Sequence, residues 1–169
     1  QVASVYHGTT VATNAVLEHR GALCGLVTTE GFRDVVHIGR HQRPEHYSIM
    51  QDIPWQARPF VRREHRKVVS ERIVPPNGEV LEALDEDGVR RAARELGAAG
   101  VEAVAVTFIN AYANGENERV AAEAIRSVWP NAYVNISSDI LPEIREFERA
   151  STTALNAYLQ PVVANYLDR

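Results

Sequence analysis

Residues 7–10 read His-Gly-Thr-Thr and run on as Val11-Ala12-Thr13-Asn14-Ala15-Val16-Leu17. Small, hydroxyl-bearing and imidazole groups meet there, where an apolar run over residues 2–6 gives way to a helical pattern. A glycine at such a turn lets backbone approach a ligand closely, and the first helical turn leaves N–H groups without partners. The combination suits phosphate or carboxylate oxygens. Gly8, Thr9 and Thr10 are therefore candidates for anion contact, and Asn14, one turn beyond Thr10, faces the same side. His7 is a candidate base, because the unperturbed pKa of an imidazole lies near neutrality. The alternatives are a histidine hydrogen-bonded at a strand end and two threonines that only cap a helix.

Two further polar clusters follow strand ends, Thr28-Thr29-Glu30 and Asn110 with Tyr112, and open α/β sheets bind ligands beyond those ends. Glu143, Arg145, Glu146, Glu148 and Arg149 form a dense charged run, which by pattern reads as a solvated helix face. Glu143 and Arg149 stand too far apart along a helix to pair directly. His37, His41 and His46 lack a metal-ligand spacing and read as loop residues. Cys24 is the only cysteine, so an internal disulfide and a zinc cluster are excluded, and its apolar setting suits an inert buried thiol. No nucleophile triad and no Walker-type loop can be assembled.

The net charge of −4 provides no basic stripe for nucleic acid. The densest basic stretch, residues 58–67, is interrupted by Phe60, Val61 and Glu64 and reads as a solvated loop and strand entrance. No apolar stretch approaches the roughly 20 residues needed to cross a bilayer, and no secretory leader is seen. A reducing, cytoplasmic setting follows as the expectation.

The elements that must position these residues alternate. Strands are expected over residues 2–6, 23–28, 101–109 and 133–137. Helices are expected over residues 10–19 (closed by Gly21), 85–99 (closed by Gly100), 116–129, and from Pro142 onward. The last helix would bury Ile144, Phe147, Ser151, Leu155, Tyr158 and Val162, with a kink or break near Gln160 ahead of Pro161. Residues 31–39 suggest a short helix or turn, and residues 40–63 lose periodicity. Asn77-Gly78 predicts a hairpin with arms over residues 67–74 and 79–84. The alternation argues for an α/β domain with a mainly parallel sheet flanked by helices.

Four segments carry a family resemblance: His7-Gly8-Thr9-Thr10-Val11-Ala12-Thr13-Asn14-Ala15; residues 27–35 (Val-Thr-Thr-Glu-Gly-Phe-Arg-Asp-Val) with Ile38-Gly39-Arg40; Val101-Glu102-Ala103-Val104-Ala105-Val106; and residues 141–149 (Leu-Pro-Glu-Ile-Arg-Glu-Phe-Glu-Arg), continued through Leu159. In this order they resemble the N-terminal domain of the A-type subunit of the hydantoinase/oxoprolinase family. The resemblance implies part of the ribonuclease-H-like, actin and sugar-kinase ATPase fold, with residues 39–84 as a loop and hairpin insertion and residues 85–169 as a second α/β portion. It implies an enzyme that opens a lactam or hydantoin ring with ATP and Mg²⁺, working on a small cyclic amide with a B-type subunit or fused domain as partner. Arg40 would then clamp a substrate carboxylate through two parallel hydrogen bonds, or serve between domains; Arg33–Asp34 pairing and an exposed Arg40 are the plainer reading. Glu143, Arg145 and Arg149 would join a cleft or interface network. The chain opens at Gln1, almost inside a strand pattern, and reads as a piece of a longer protein whose acidic, glycine-rich phosphate loop and later domains lie elsewhere. Residues 1–169 alone are expected to hold no cofactor tightly and to be inactive. An acetone-carboxylase-type subunit and a non-catalytic assembly domain of the same fold are the competing readings.

Overall fold

The computed structural model describes residues 8–42, 44–51 and 53–168; His7 and the strand expected over residues 2–6 lie outside them. A seven-residue helix, α1 (Val11–Leu17), precedes strand β1 (Cys24–Thr29). The aperiodic stretch that follows holds two single-turn helices, α2 (Val35–Ile38) and α3 (Pro54–Ala57), and a 3₁₀ turn (Arg63–His65). Then come β2 (Arg66–Val69), β3 (Arg72–Val74), β4 (Glu79–Glu82) and α4 (Glu86–Ala98). The chain continues through β5 (Ala103–Thr107), α5 (Glu116–Val128), β6 (Tyr133–Ile136), α6 (Ser137–Ile140) and α7 (Glu146–Leu167). Among the described residues no helix is long and apolar enough to cross a membrane.

Four strands form one parallel sheet in the order β2-β1-β5-β6. Every residue of β1 and β5 is buried, as expected where helices cover both faces. Alternation along β5 sorts the core. Val104 and Val106 face α4 and α5, meeting Val89, Leu96 and Ile125. Ala103 and Ala105 face α7, meeting Ala154, Ala157 and Tyr158. Alanines on both sides of the second interface let α7 lie close on the sheet. Helix α4 starts at Asp85, whose carboxylate accepts from the Gly88 N–H at 2.9 Å, and the chain leaves it through Gly100 at φ +77°.

Several expectations need correction. The first hairpin arm divides: Arg66–Val69 joins the parallel sheet, and only Arg72–Val74 pairs with Glu79–Glu82, around Gly78 at φ +69°. Helix α7 begins at Glu146, not Pro142, because a one-turn helix, α6, takes up the segment after β6. Its buried face is Arg149, Ala150, Thr153, Ala154, Ala157, Tyr158 and Pro161, while Ile144 is exposed. Hydrophobicity misplaces this stripe because the sheet selects small side chains there. Pro161 does not end the helix, which runs on to Leu167. The left-handed residue after α1 is His19, at φ 53°. Gly21 serves another purpose: a Cβ there would stand 2.2 Å from the Tyr158 ring, and the next N–H, of Ala22, donates to Tyr158 O at 2.9 Å.

The carboxyl ends of the strands are fastened by buried polar groups. Arg149, 1% exposed, donates from Nη2 to Phe108 O at 2.7 Å, from Nη1 to Glu143 O at 2.7 Å, and from Nε to Ser137 Oγ at 3.1 Å. Ser137 in turn donates to Glu118 Oε1 at 2.6 Å. Glu118, fully buried, also accepts from the Phe108 N–H at 2.8 Å and the Ser138 N–H at 2.7 Å. A second cluster joins Thr29 Oγ1, which donates to Glu71 Oε1 and accepts from the Ile109 N–H at 2.9 Å, with Asn117 Nδ2 donating to Glu71 Oε2 at 3.0 Å. Burial pushes the Glu118 carboxyl up and the Arg149 guanidinium down. Neither group can be removed without stranding its partners in a medium that penalises unpaired charge.

Two stability outcomes follow. Arg149→Ala should lose about 3–5 kcal/mol in urea unfolding, the scale for leaving a buried charge uncompensated; a loss under about 0.5 kcal/mol, the surface range, would show that the guanidinium is not a tie. Gly21→Ala should cost about 1–3 kcal/mol, because the added methyl must displace a packed ring. An unchanged melting temperature for that variant would mean that Tyr158 moves aside freely.

Candidate functional site

The loop that leaves β1, from Glu30 onward, borders an open cleft of about 740 Å³ outside the carboxyl edge of the sheet. The sequence favours this edge, since a parallel sheet turns all its strand ends, with their loops, one way. Phe32, Val35, Ile38, Val68 and Phe147 supply apolar lining, and Glu30, Arg33, Asp34, His41 and Glu146 supply polar groups. The site is thus mixed: apolar surface to hold an organic body, with a few charges to orient it.

Asp34 organises one wall. Its carboxylate receives Arg63 through Nε at 3.1 Å and Nη2 at 3.0 Å, Arg33 Nη2 at 3.4 Å, and Arg66 Nη1 at 3.5 Å. The Arg63 guanidinium, hydrogen-bonded to it, holds the Asp34 carboxyl below the usual range. The expected Arg33–Asp34 contact is therefore one of three. Arg66 also donates to Val61 O at 3.1 and 2.9 Å and is almost wholly buried, so it acts as a strut. Phe32 lies under the Arg72 guanidinium at 5.2 Å, within reach of the attraction between a cation and a ring face.

Arg40 extends from the loop after α2 to helix α7. Its Nε donates to Glu148 Oε1 at 2.7 Å and its guanidinium carbon stands 5.9 Å from the Phe147 ring centre. With Phe147 lining the cleft, Arg40 stands beside it, its charge already paired. Glu148 is held below the ordinary carboxyl range by its own backbone N–H and then by Arg40.

The remaining sequence candidates fall in three places. Gly8, Thr9, Thr10 and Asn14 are exposed at the start of α1 and do not line the cleft. Thr9 Oγ1 accepts from the Val11 N–H at 3.2 Å, so it takes the capping part. Thr10 makes no capping bond, and its hydroxyl lies 3.5 Å from Asn14 Nδ2. A Cβ built on Gly8 meets nothing within 4 Å. Glu143 and Arg145 are exposed near the start of α7 and serve Arg149 through their carbonyls, which accept from Nη1 and the backbone N–H. The Thr28 and Thr29 hydroxyls are consumed internally, on Thr107 O at 2.7 Å and on Glu71.

Sequence reasoning passed over Glu71, Asn117, Glu118 and Ser137. One signal was available: Asn117 and Glu118 share the helical spacing of Ala121, Ala124 and Ile125, so they lie on the inward face of α5. No comparable signal marks Glu71, whose burial depends on the hairpin folding back. Cys24 is buried and its thiol is pushed up to about 12 by desolvation, then by Glu102, in keeping with an inert thiol. Among the described residues no three His, Cys, Asp or Glu side chains gather as a metal site.

Comparison with known proteins places this arrangement. Caprolactamase subunit alpha of Pseudomonas jessenii is 33% identical over 96% of this chain and 23% of its own length. The crystal structure of ATP-dependent caprolactamase from that organism matches with a TM-score of 0.83 at 34% identity, covering 96% of this chain and 23% of its own. The 5-oxoprolinase of Saccharomyces cerevisiae is 28% identical over 99% of this chain and 14% of its length. Nucleotide-free acetone carboxylase matches with a TM-score of 0.77 at 29% identity, over 95% of this chain and 24% of its own. The chain thus spans a quarter or less of these relatives. A model of the hydantoinase/oxoprolinase N-terminal region matches residues 1–129, and the chain belongs to the hydantoinase/oxoprolinase family.

Proposed function

We propose that these residues are part of an ATP-dependent enzyme that opens a cyclic amide ring. The likeness to ATP-dependent caprolactamase, a TM-score of 0.83 at 34% identity over 96% of this chain, carries the reading. An amide carbonyl is a poor electrophile, and ATP supplies the phosphoryl group that makes the ring carbon attackable by water. Gly8, Thr9 and Thr10 fit a phosphate or another oxyanion: open space stands beside Gly8 and both hydroxyls are exposed. Asn14 adds an amide on the same side. His7, immediately before them, would act as a base or orient a carbonyl. The cleft beyond β1 would receive the organic part of the substrate, with Arg40 steering a carboxylate when it leaves Glu148. Glu143, Arg145 and Arg149 form the network that fixes the cleft's α7 wall. A B-type subunit or fused domain would complete the site and bring groups for Mg²⁺, and a lone buried thiol suits a reducing, cytoplasmic setting.

The match to acetone carboxylase supports a second reading, in which ATP activates a substrate for carboxylation. Product analysis on the full-length protein with its partner subunit separates the two. A ring-opened amino acid from a cyclic amide is the expected product; carboxylated acetone would give the case to the alternative.

The oxyanion role has a sharp test. Space beside Gly8 means that Gly8→Val should leave the melting temperature of the full-length enzyme unchanged while its turnover collapses. Thr9→Ala removes the cap on Val11 and should cost up to about 1 kcal/mol; Thr10→Ala should cost less. Turnover retained by all three variants, or lost only in step with unfolding, would reduce the segment to a helix start.

A further inference from the structure

We propose that a second cleft, on the amino-terminal side of β1 and β2, is a binding site for a small phosphorylated molecule. It encloses about 570 Å³ and is bordered by Ala22 and Leu23 ahead of β1 and by Arg66 at the start of β2, so it opens at the opposite edge of the sheet from the cleft beyond Thr29. The inference does not depend on the enzymatic reading above.

Charge is the first observation. Arg58, Arg62, Arg63 and Arg66 border the cleft together with His19 and His37, against a single carboxylate in its lining, Glu64. Asp34 stands behind and binds Arg63 and Arg66. Arg58 and Arg62 are exposed, and their guanidiniums make no hydrogen bond or ion pair among the described residues. Two unpaired guanidiniums beside two paired ones, in a chain of net charge −4, concentrate positive potential in one concave place. Such a cleft focuses the field on an incoming anion, and the planar fork of arginine matches phosphate oxygens two at a time.

Shape is the second. The wall carries a run of rings: His19 stacks on Phe60 at 6.4 Å with 26° between planes, and Phe60 meets Tyr158 at 5.0 Å. Flat apolar surface beside a ring of guanidiniums suits an organic body that bears phosphate. The volume lies in the ordinary range for small-molecule sites. A nucleic-acid backbone would need a longer basic track, and here the next cation along the chain, Lys67, is paired with Glu95 at 2.7 Å.

Inorganic pyrophosphate is the probe, titrated calorimetrically into the full-length protein without ATP. The Gly8→Val background removes the separate oxyanion segment. Pyrophosphate should bind in that background, more weakly as salt rises. Adding Arg58→Ala and Arg62→Ala should weaken binding about tenfold for each guanidinium lost with the melting temperature unchanged, since neither side chain has a polar partner among the described residues. No binding in the Gly8→Val protein, or binding that survives the double substitution, would overturn the proposal. Capture of duplex DNA or an acidic peptide with no response to pyrophosphate would overturn it too.

Discussion

A single buried guanidinium holds the carboxyl edge of the sheet in place. Arg149 stands on the first turn of α7, yet its three donating nitrogens reach the end of β5, the loop before α7 and, through Ser137, the carboxylate of Glu118 on α5. One side chain thereby fixes the long helix on one face of the sheet relative to a helix on the other. Placing a charge there costs desolvation, and its neighbours recover that cost only if all of them are present together. The geometry is all-or-none. Because Glu146 and Phe147 of that turn line the cleft, the cleft inherits its shape from an interaction that never touches a ligand.

The hydroxyl and amide groups at this edge divide accordingly. Thr28, Thr29, Asn110 and Asn117 are spent on backbone carbonyls or on Glu71. They let the strands end in polar side chains without exposing unsatisfied groups to the core. Among the described residues that line the cleft, Glu30, Arg33, His41 and Glu146 remain turned toward solvent. Proximity to a strand end is therefore a weaker guide to ligand contact than it looks in sequence, because the same polar residues are needed to close the sheet.

Legibility followed the range of the interaction. The α4 start at Asp85 and its exit at Gly100, the turn at Asn77-Gly78 and the unbroken apolar run of β5 are all written in residues a few positions apart, and each stands where the pattern puts it. Misreadings arose where a distant element decides. The face of α7 is chosen by Ala103 and Ala105, more than 40 residues earlier. Arg66–Val69 is drawn from the hairpin by pairing with β1. Gly21 reads as a helix terminator, yet its need for glycine comes from Tyr158. Arg149 carries the same lesson most strongly: by charge pattern alone it reads as solvated, the family resemblance puts it in a network, and the assembled strand ends show why it is buried.

The two clefts show how one parallel sheet can present two chemistries. At its carboxyl edge, side chains of opposite sign alternate around apolar surface, and most charges, Arg40 and Glu148 among them, are already paired. At its amino edge arginines gather with fewer acids, and two stay unpaired among the described residues. Asp34 lies between: it lines the first cleft while binding Arg63 and Arg66, which border the second. Its single carboxylate offsets part of the like-charge repulsion among the arginines and keeps Arg66 tolerable in a buried position. The basic cleft therefore depends on an acid that faces the other site, so any change to Asp34 alters the electrostatics of both at once.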